Sequence, residues 1–200
     1  MAYVAGGTEN GGAARHMAEY DLEKDTVNLL DIPEGVMLDR KYYAGTYLKT
    51  RGSIVYFGGQ SDNDAPSASP GVWTEFVPGN RTWNTLNFTN VAPSHRILSC
   101  IAASEDGSKV VVFSGLQDQR AIGRDIWILD VARMTWTQGP LHPQGICMNA
   151  CTIVNNTFIS WGGYNRIGTG TANGSAILYD IAASRYITNY EPPIITQEAN

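Results

Sequence analysis

Cysteine and histidine are the residue types in this sequence that could bind a transition metal, and the chain has three of each. The cysteines are Cys100, Cys147 and Cys151, and the last two form a C-x3-C pair with no second pair and no histidine nearby. A structural zinc site needs about four such ligands at close spacing. We therefore expect no zinc site, and we expect three small buried thiols, because free cysteine is among the most buried residue types.

The histidines are His16, His95 and His142. His16 opens a predicted strand, whereas His95 and His142 each come just before one, so these two could share a rim of the molecule. Nothing else in their spacing supports a metal site. We interpret all three as surface or turn residues, and we expect neither a metal nor an organic cofactor.

Other catalytic motifs are missing from the sequence. It has no serine nucleophile elbow, no phosphate-binding loop and no HExxH motif. The stretch GYNRIGTGTANG, residues 163–174, has spaced glycines like a dinucleotide-binding loop, but it follows an apolar run and opens no helix. We interpret it as a flexible connection.

Composition narrows the class of partner. The net charge is −5 and charged residues make up 16% of the 200 residues, against about 25% in an average protein. The densest basic stretch is only DRKYY, residues 39–43, so we expect no nucleic acid partner. No apolar run reaches the roughly 18 residues of a membrane helix, and the N-terminus does not read as a signal peptide. We expect no membrane insertion.

A repeat runs through the whole chain. Four short apolar runs end in small residues, and their final glycines lie at positions 7, 59, 115 and 163, so the spacings are 52, 56 and 48. The runs are YVAGG, IVYFGG, VVVFSG and FISWGG. A period near fifty excludes helical arrays with repeats of about 33 or 34 residues. Glycine pairs at strand ends indicate unusual backbone dihedrals or a close backbone approach.

A second pattern follows each glycine pair. An apolar or aromatic residue is followed by a strand-end position, which is an aspartate in three copies, and a large residue stands six positions further on. The strand-end positions and their partners are Asp21 and Val27, Val77 and Trp83, Asp130 and Trp136, and Asp180 and Tyr186. We interpret each copy as a hairpin in which the aspartate starts the turn and the aromatic residue fills space between neighbouring sheets.

Each repeat also needs a strand before its glycine-ended strand. Residues 42–48, 96–103 and 147–154 fit this inner strand. Cys100 and Cys151 then take the same position on the inner strands of adjacent repeats. Cys147 and Cys151 lie on one strand, about 13 Å apart at ~3.3 Å per residue, which is too far for a disulfide.

With these features the sequence resembles the kelch-repeat β-propeller family, to which the central domain of galactose oxidase is also similar. The opening Pro93 and Arg96 of the third copy match the family pattern, whereas Ser114, Val27 and Val77 depart from it. The other matching positions are Gly58, Gly59, Trp83, Gly115, Asp130, Trp136, Gly162, Gly163, Asp180 and Tyr186. The resemblance implies an all-β, kelch-type β-propeller with about four blades of four antiparallel strands.

We place the blades at residues 1–33 (partial), 40–90, 95–139 and 145–191. Family propellers usually close with about six or seven blades, and the first copy here has no room for an inner strand. We therefore expect a single, incomplete propeller segment, a fragment that is completed by missing blades or that self-associates.

Function then falls to loops on a rigid scaffold. In a four-stranded blade the connections after the second and the fourth strands emerge on one face. The loops after the second strands, residues 8–15, 60–70, 116–124 and 164–174, are long and unlike one another. The candidate binding residues in them are Asp62, Asp64, Gln117, Asp118, Arg120, Arg124, Tyr164 and Arg166.

The leading hypothesis is a non-catalytic kelch-repeat module that binds a protein or carbohydrate partner, or another ligand, through this face. One alternative is a fragment of a galactose-oxidase-like copper-radical oxidase. Another is a structural, glycosylated surface domain, since four N-x-S/T triplets are present, at Asn80, Asn87, Asn155 and Asn173. The chain is then extracellular or membrane-tethered if residues precede Met1, and cytoplasmic otherwise.

Overall fold

The fold is that of a computed structural model, which describes residues 1–5, 8–9, 12–13, 16–33, 36, 40–61, 73–117, 121–166, 170–171 and 174–190. All regular structure in these residues is antiparallel β-strand, which confirms the predicted all-β class. No helix long and apolar enough to cross a membrane occurs in the same residues.

The strands are numbered in chain order. The first nine are β1 (Ala2–Ala5), β2 (Thr8–Glu9), β3 (Gly12–Ala13), β4 (His16–Asp21), β5 (Thr26–Asp31), β6 (Arg40–Leu48), β7 (Ser53–Ser61), β8 (Trp73–Val77) and β9 (Thr82–Thr85). The next six are β10 (Cys100–Ala103), β11 (Lys109–Phe113), β12 (Leu116–Gln117), β13 (Ala121–Ile122), β14 (Ile126–Asp130) and β15 (Thr135–Gln138). The last six are β16 (Ala150–Val154), β17 (Thr157–Trp161), β18 (Tyr164–Arg166), β19 (Gly170–Thr171), β20 (Ile177–Asp180) and β21 (Arg185–Ile187).

Four of the sheets repeat one plan, and we call them blades 1 to 4. Blade 1 has the order β1-β4-β5, blade 2 β6-β7-β8-β9, blade 3 β10-β11-β14-β15 and blade 4 β16-β17-β20-β21. Each four-stranded blade is an antiparallel meander from an inner to an outer strand. This arrangement confirms a partial kelch-type propeller, and blade 1 shows three strands in the part of the chain that is described.

Short two-stranded ribbons lie in the connections to the third strands of blades 1, 3 and 4, whereas residues 62–72 of blade 2 are outside the described part. The ribbons are β2–β3, β12–β13 and β18–β19. In the last of them Tyr164 pairs with Thr171 and Arg166 with Gly170, so part of the stretch interpreted as a flexible connection is a β-hairpin.

The outer hairpins close as the aspartates predicted. The Asp130 Oδ1 atom accepts a hydrogen bond from the backbone N–H of Arg133 at 3.0 Å, and the Asp180 Oδ1 atom accepts one from Ala183 at 2.9 Å. The fourth residue after each strand-end position has a positive φ, between 51° and 56°: Asp25, Arg81, Met134 and Ser184. The four outer turns therefore have the same backbone conformation although their sequences differ.

The core lies between blades, because alternate residues of each strand face opposite neighbours. On β11, Val110 and Val112 pack in the cluster shared with blade 2, and Val111 and Phe113 pack in the cluster shared with blade 4. Met17, Tyr56 and Phe76 form the smaller buried cluster between blades 1 and 2. Each blade buries its faces only by stacking on others.

The aromatic residues after the outer turns of blades 2, 3 and 4 fill gaps between blades to different extents, whereas Val27 at this position of blade 1 is 58% exposed. Trp136 is 2% exposed, and its ring centroid lies 4.9 Å from that of Trp73 and 5.5 Å from that of Phe88. Trp83 and Tyr186 are half-buried rather than largely buried. The extra cover over Trp136 comes from Phe88, which lies in the segment after β9.

The glycine pairs let neighbouring blades approach closely. Gly58 and Gly59 have φ of 74° and 91°, and a Cβ atom on Gly58 would lie 2.1 Å from the carbonyl oxygen of Arg96 in blade 3. The N–H of Gly59 donates to this oxygen at 3.1 Å, and the N–H of Gly115 donates to that of Ile146 at 3.0 Å. The predicted need for unusual dihedrals and close approach is confirmed.

Ser114 replaces the first glycine of blade 3 without losing the contact between blades. It has a φ of 56°, and its hydroxyl donates to the carbonyl oxygen of Gly123 at 2.6 Å. The Ser114 Oγ atom in turn accepts a hydrogen bond from the N–H of Ile146 at 2.8 Å. The hydroxyl group thus connects blade 3 to blade 4.

The prediction of three free thiols was wrong. Cys100 and Cys151 form a disulfide between blades 3 and 4, with a Cα–Cα distance of 6.0 Å, and only Cys147 is a free, buried thiol. The separation of the Cα atoms lies within the usual range for disulfides.

The error has its origin in strand register. Cys100 pairs with Phe113, whereas Cys151 pairs with Ser160, one position off the equivalent Trp161. The inner turn spans four residues in blade 3 (105–108) and two in blade 4 (155–156), and allowing for the longer turn from the sequence left the register wrong by one residue. A shift of one residue turns a side chain to the opposite face, so the two cysteines face each other instead of pointing the same way.

Apolar side chains are exposed at both ends of the stack. On the outer face of blade 1, Val4 is 67% exposed and Leu29 is 69% exposed. On the outer face of blade 4, Trp161 is 62% exposed and Val154 is 39% exposed. We call these two surfaces the end faces.

Candidate binding face

The connections between second and third strands meet the starts of the inner strands on one side of the blades. Three equivalent pairs mark this side, and each joins a residue at or just before the start of an inner strand to the residue after a glycine pair. The pairs are Lys41 with Gln60, Ile97 with Leu116, and Cys147 with Tyr164. We call the surface formed by these pairs and by Tyr42, Leu98 and Met148 the binding face.

Tyr42, Leu98 and Met148, which we call the rim, occupy one position in blades 2, 3 and 4. All three have a left-handed backbone, with φ of 64°, 56° and 58°. The N–H of Leu98 donates to the carbonyl oxygen of Tyr42 at 3.0 Å, and the N–H of Met148 donates to that of Leu98 at 2.9 Å. The rim therefore runs across three blades as a chain of backbone hydrogen bonds.

The rim holds large side chains in a conformation that favours glycine. Each such residue costs about 1–2 kcal/mol and persists only where the surrounding structure fixes it. Two of the side chains point into solvent, since Tyr42 is 49% exposed and Met148 is 54% exposed. Sequence reasoning missed the rim, because nothing in the letters Tyr, Leu or Met indicates a positive φ.

A buried ion pair supports the rim in blade 3. Arg96 is 1% exposed, and its Nη1 and Nη2 atoms donate to Asp125 Oδ1 and Oδ2 at 2.8 and 2.9 Å. The Arg96 Nε atom donates to the carbonyl oxygen of Ser94 at 3.0 Å. This bidentate pair fixes the segment that leads directly into Leu98.

The charge of Asp125 is maintained by its partners. Burial alone would raise the pKa of this carboxyl group, but hydrogen bonds and charge from Arg96 outweigh it, helped by the Trp127 indole. The Trp127 Nε1 atom donates to Asp125 Oδ2 at 2.7 Å. The net result is a pKa below the usual value, so the carboxylate stays ionised at neutral pH.

The sequence was also compared with models of known protein families. The model of the KLHDC2/KLHL20/DRC7 kelch-repeats domain matches residues 1–188. The chain belongs to this kelch-repeat family. Kelch-repeat domains of this family are typically non-catalytic and commonly bind proteins. No curated protein matches the chain.

Three of the predicted site residues of this kelch-repeat chain have described side chains. Gln117 is half-buried, with its Nε2 atom 3.4 Å from Asp125 Oδ1, so it contacts the buried ion pair. Arg124 is exposed, and its Nη1 atom donates to the carbonyl oxygen of Pro143 at 3.3 Å. Tyr164 is 44% exposed.

Of these three, Tyr164 lies beside the rim in the kelch fold. Its backbone exchanges two hydrogen bonds with Cys147, the residue before Met148, at 2.8 and 2.9 Å. Arg166 lies in β18, but its side chain is outside the described part. The remaining predicted site residues also lie outside the described residues: Asp62, Asp64, Asp118 and Arg120.

Each of the three histidines contacts residues of its own or a neighbouring blade. A ring nitrogen of His95, Nε2, is 2.6 Å from the carbonyl oxygen of Gly59, and the ring of His142 packs 4.9 Å from that of Tyr186. His16 Nδ1 is 3.0 Å from Asp31 Oδ1 on the neighbouring strand. Among the residues with described positions, no three His, Cys, Asp or Glu side chains are grouped as metal ligands.

Three of the four predicted glycosylation triplets lie on the described surface of the kelch segment. Asn80, Asn87 and Asn155 are exposed, and Asn173 lies outside the described residues. The Asn80 Oδ1 atom accepts a hydrogen bond from the hydroxyl of Thr82, the third residue of its triplet, at 2.7 Å. Their use stays a prediction.

Proposed function

We propose that the chain is a non-catalytic kelch-repeat module that binds a protein partner through the binding face. The observation that carries the proposal is the rim, where large side chains project into solvent from a fixed and strained backbone. Strained backbone persists only where the surrounding structure fixes it, and it is concentrated at active sites and ligand-binding sites.

The physical properties of the rim suit it to protein recognition. Aromatic residues and methionine are enriched in the buried centres of protein interfaces. The backbone under Tyr42 and Met148 is already ordered by hydrogen bonds to the neighbouring blade, so binding would need to immobilise little more than the side chains. Tyr164 extends the exposed surface beside Met148.

The opposite side of the blades contrasts with this face. Its turns are short, and polar side chains in them are bonded to their own turn. Asp106, for example, accepts hydrogen bonds from the hydroxyls of Ser104 and Ser108 at 2.6 and 2.9 Å. Because these side chains are bonded within their own turns, this side of the blades is suited to a structural role.

Replacing rim residues by glycine separates binding from folding. In Tyr42→Gly and Met148→Gly an exposed side chain is removed while the strained dihedral is relieved, so the free energy of unfolding should stay level or rise. Peptides selected against the wild-type chain from a displayed random library should bind these variants at least about tenfold more weakly, by about 1.4 kcal/mol each.

The matched control is Leu22→Ala, because Leu22 is 64% exposed in the outer turn of blade 1, away from the rim. This control should bind the selected peptides as the wild type does. Selected peptides that bind the glycine variants and the wild type equally would show that the rim is not the binding site. A library that yields no binding peptide would count against peptide recognition altogether.

A further inference from the structure

Blade 4 of the described stack is held by one neighbour, blade 3. Its face toward blade 3 buries Phe158 and Tyr179, each 0% exposed, whereas Trp161 on the other face is 62% exposed. In stacked repeats, a unit with one neighbour is the first to separate, because most of its stability comes from the interfaces.

The Cys100–Cys151 disulfide crosses this single interface at the inner strands. Cys100 follows Leu98 by two residues, and Cys151 follows Met148 by three. These same two rim residues share the 2.9 Å hydrogen bond between Met148 N–H and Leu98 oxygen. The covalent bond therefore lies next to the contact that sets the spacing of the rim in blades 3 and 4.

We propose that the Cys100–Cys151 pair is a redox-controlled link that keeps blade 4 docked on blade 3. When the link is oxidised, blade 4 and its part of the rim are fixed. When it is reduced, only noncovalent packing holds them, and blade 4 opens more often. The consequence for partner binding rests on the proposed function, whereas the opening of blade 4 does not.

The chemistry needs an oxidant of the small-molecule disulfide class, such as glutathione disulfide. Cys151 is half-buried and Cys100 is 4% exposed, so Cys151 is the sulfur that the oxidant reaches. Its thiolate attacks the small disulfide, forms a mixed disulfide and releases one small thiolate. The Cys100 thiolate then attacks the Cys151 sulfur and displaces the second. The protein gives up two protons and two electrons, and the oxidant becomes two thiols.

Cys147 does not compete for either sulfur. It lies four residues before Cys151, ahead of β16, where its backbone N–H and carbonyl oxygen pair with Tyr164. It is buried, and this burial raises the pKa of its thiol, so the reactive thiolate form is scarce. The three cysteines thus divide into one pair and one inert residue.

The first test counts thiols on the full chain. One sample is equilibrated with glutathione disulfide and another with a phosphine reductant, and both are alkylated with iodoacetamide after unfolding. We expect one alkylated cysteine, Cys147, in the oxidised sample and three in the reduced sample, with a linked Cys100–Cys151 peptide in the oxidised digest. Three alkylated cysteines in the oxidised sample, or a link through Cys147, would overturn the proposal.

The second test measures hydrogen exchange by mass spectrometry on the same two samples. Amides of β16, β17, β20 and β21 should exchange roughly tenfold or more faster in the reduced chain, while those of blade 2 should be unchanged. Equal exchange of blade 4 in the two states would show that the bond forms without holding the blade.

Two variants make the result specific. Cys147→Ser keeps the pair and should show the same difference between oxidised and reduced samples. The double variant Cys100→Ser, Cys151→Ser should exchange at the reduced rate under both conditions. A double variant that still responds to reductant would place the effect elsewhere and contradict the proposal.

Discussion

Gly58 and Gly162 are the same position in blades 2 and 4, and they offer a matched pair at the scale of single residues. Both have a φ of 74°, but a Cβ atom would meet the Arg96 oxygen at 2.1 Å in the first and nothing within 4 Å in the second. Gly162→Ala should therefore cost only the left-handed strain, about 1–2 kcal/mol. Gly58→Ala should cost clearly more, as measured by urea unfolding.

The comparison also reports on the outer face of blade 4. Equal losses for the two variants would contradict the difference in surroundings that the structure shows. If Gly162→Ala became as damaging as Gly58→Ala only at high protein concentration, a second molecule would be covering that face.

The Arg96–Asp125 pair gives a prediction about a buried charge. Arg96→Met keeps an unbranched aliphatic side chain but removes the guanidinium group, which leaves Asp125 without its main partner. Loss of one member of a buried pair costs about 3–5 kcal/mol, because the remaining charge is not compensated. Chemical unfolding at pH 7 measures the loss, and a change below about 1 kcal/mol would show that the pair is not buried as described.

Acid should weaken the fold through carboxylates whose pKa is lowered. A hydrogen bond from Lys109 and one from the Arg133 backbone hold the pKa of Asp130 at about 2. An unfolded aspartate titrates near pH 3.9. The stability from Asp130 is thus complete above about pH 4 and is lost as the pH falls toward 2.

Asp130→Asn should accordingly flatten the dependence of the unfolding free energy on pH between about 4 and 2. Leu141→Ala, at an exposed position that carries no titrating group, is the control and should leave that dependence as it is. If the two variants behave alike, the contribution assigned to Asp130 is wrong.

At the scale of strands and blades, the packing between blades should be strongest where Trp136 lies. Trp136→Ala removes a 2%-exposed ring between blades 2 and 3, so it should lower the unfolding free energy by about 3–5 kcal/mol. Trp83→Ala, at the equivalent but half-buried position of blade 2, should cost less. Similar losses in thermal or urea unfolding would mean that Phe88 adds no cover to Trp136.

The disulfide adds a covalent contribution to stability, between blades 3 and 4. It closes a loop of 51 residues between Cys100 and Cys151. Loop-closure entropy for that length corresponds to about 4 kcal/mol. Cys100→Ser should therefore lower the unfolding free energy of the oxidised chain by roughly this amount, whereas the same change measured in reductant should have little effect.

Much of the arrangement of strands and blades could be predicted from the sequence, because strands and turns have recognisable local sequence patterns. The glycine pairs and the strand-end aspartates gave the blades and their outer turns. Strand register has no comparable sequence pattern. It depends on how many residues of each turn remain outside the strand pairing, and the sequence does not show that number. The Cys100–Cys151 link was missed for that reason, by one position.

The binding face was only partly predictable. The order of antiparallel strands predicted on which side of the blades the long loops lie, and Tyr164 was predicted from its loop; its part in binding stays a prediction. The rim was not predicted, because a positive φ at Tyr42 or Met148 is imposed by the neighbouring blade and not by local preference. The contact of Gln117 with Asp125 and its buried ion pair was likewise not indicated by the loop sequence.

For the whole molecule, the end faces predict association. Val4 and Leu29 at one end and Val154 and Trp161 at the other are exposed apolar side chains on β-sheets, a pattern that favours contact with another surface. In size-exclusion chromatography with light scattering, the wild-type chain should be larger than 21.8 kDa at micromolar concentration. A wild-type chain that remains monomeric throughout would contradict this expectation.

Trp161→Lys should shift the equilibrium toward the monomer, since it places a charge on the end face of blade 4. The control is Leu141→Lys, which changes a side chain that is 55% exposed but lies before blade 4, outside both end faces. Equal shifts from the two variants would indicate a general effect of added charge.

The hydrogen bonds between blades give the stack a direction. At each junction from blade 2 onward, the earlier blade donates the N–H of its second glycine and accepts at its rim carbonyl, and the later blade does the reverse. The two ends of the stack are therefore unlike, as the two ends of an actin filament are. A contact that continued this order of donors and acceptors would join unlike ends, so we expect head-to-tail association. Head-to-tail contacts close into rings or run on as filaments, and they do not form a two-fold dimer through a single shared surface.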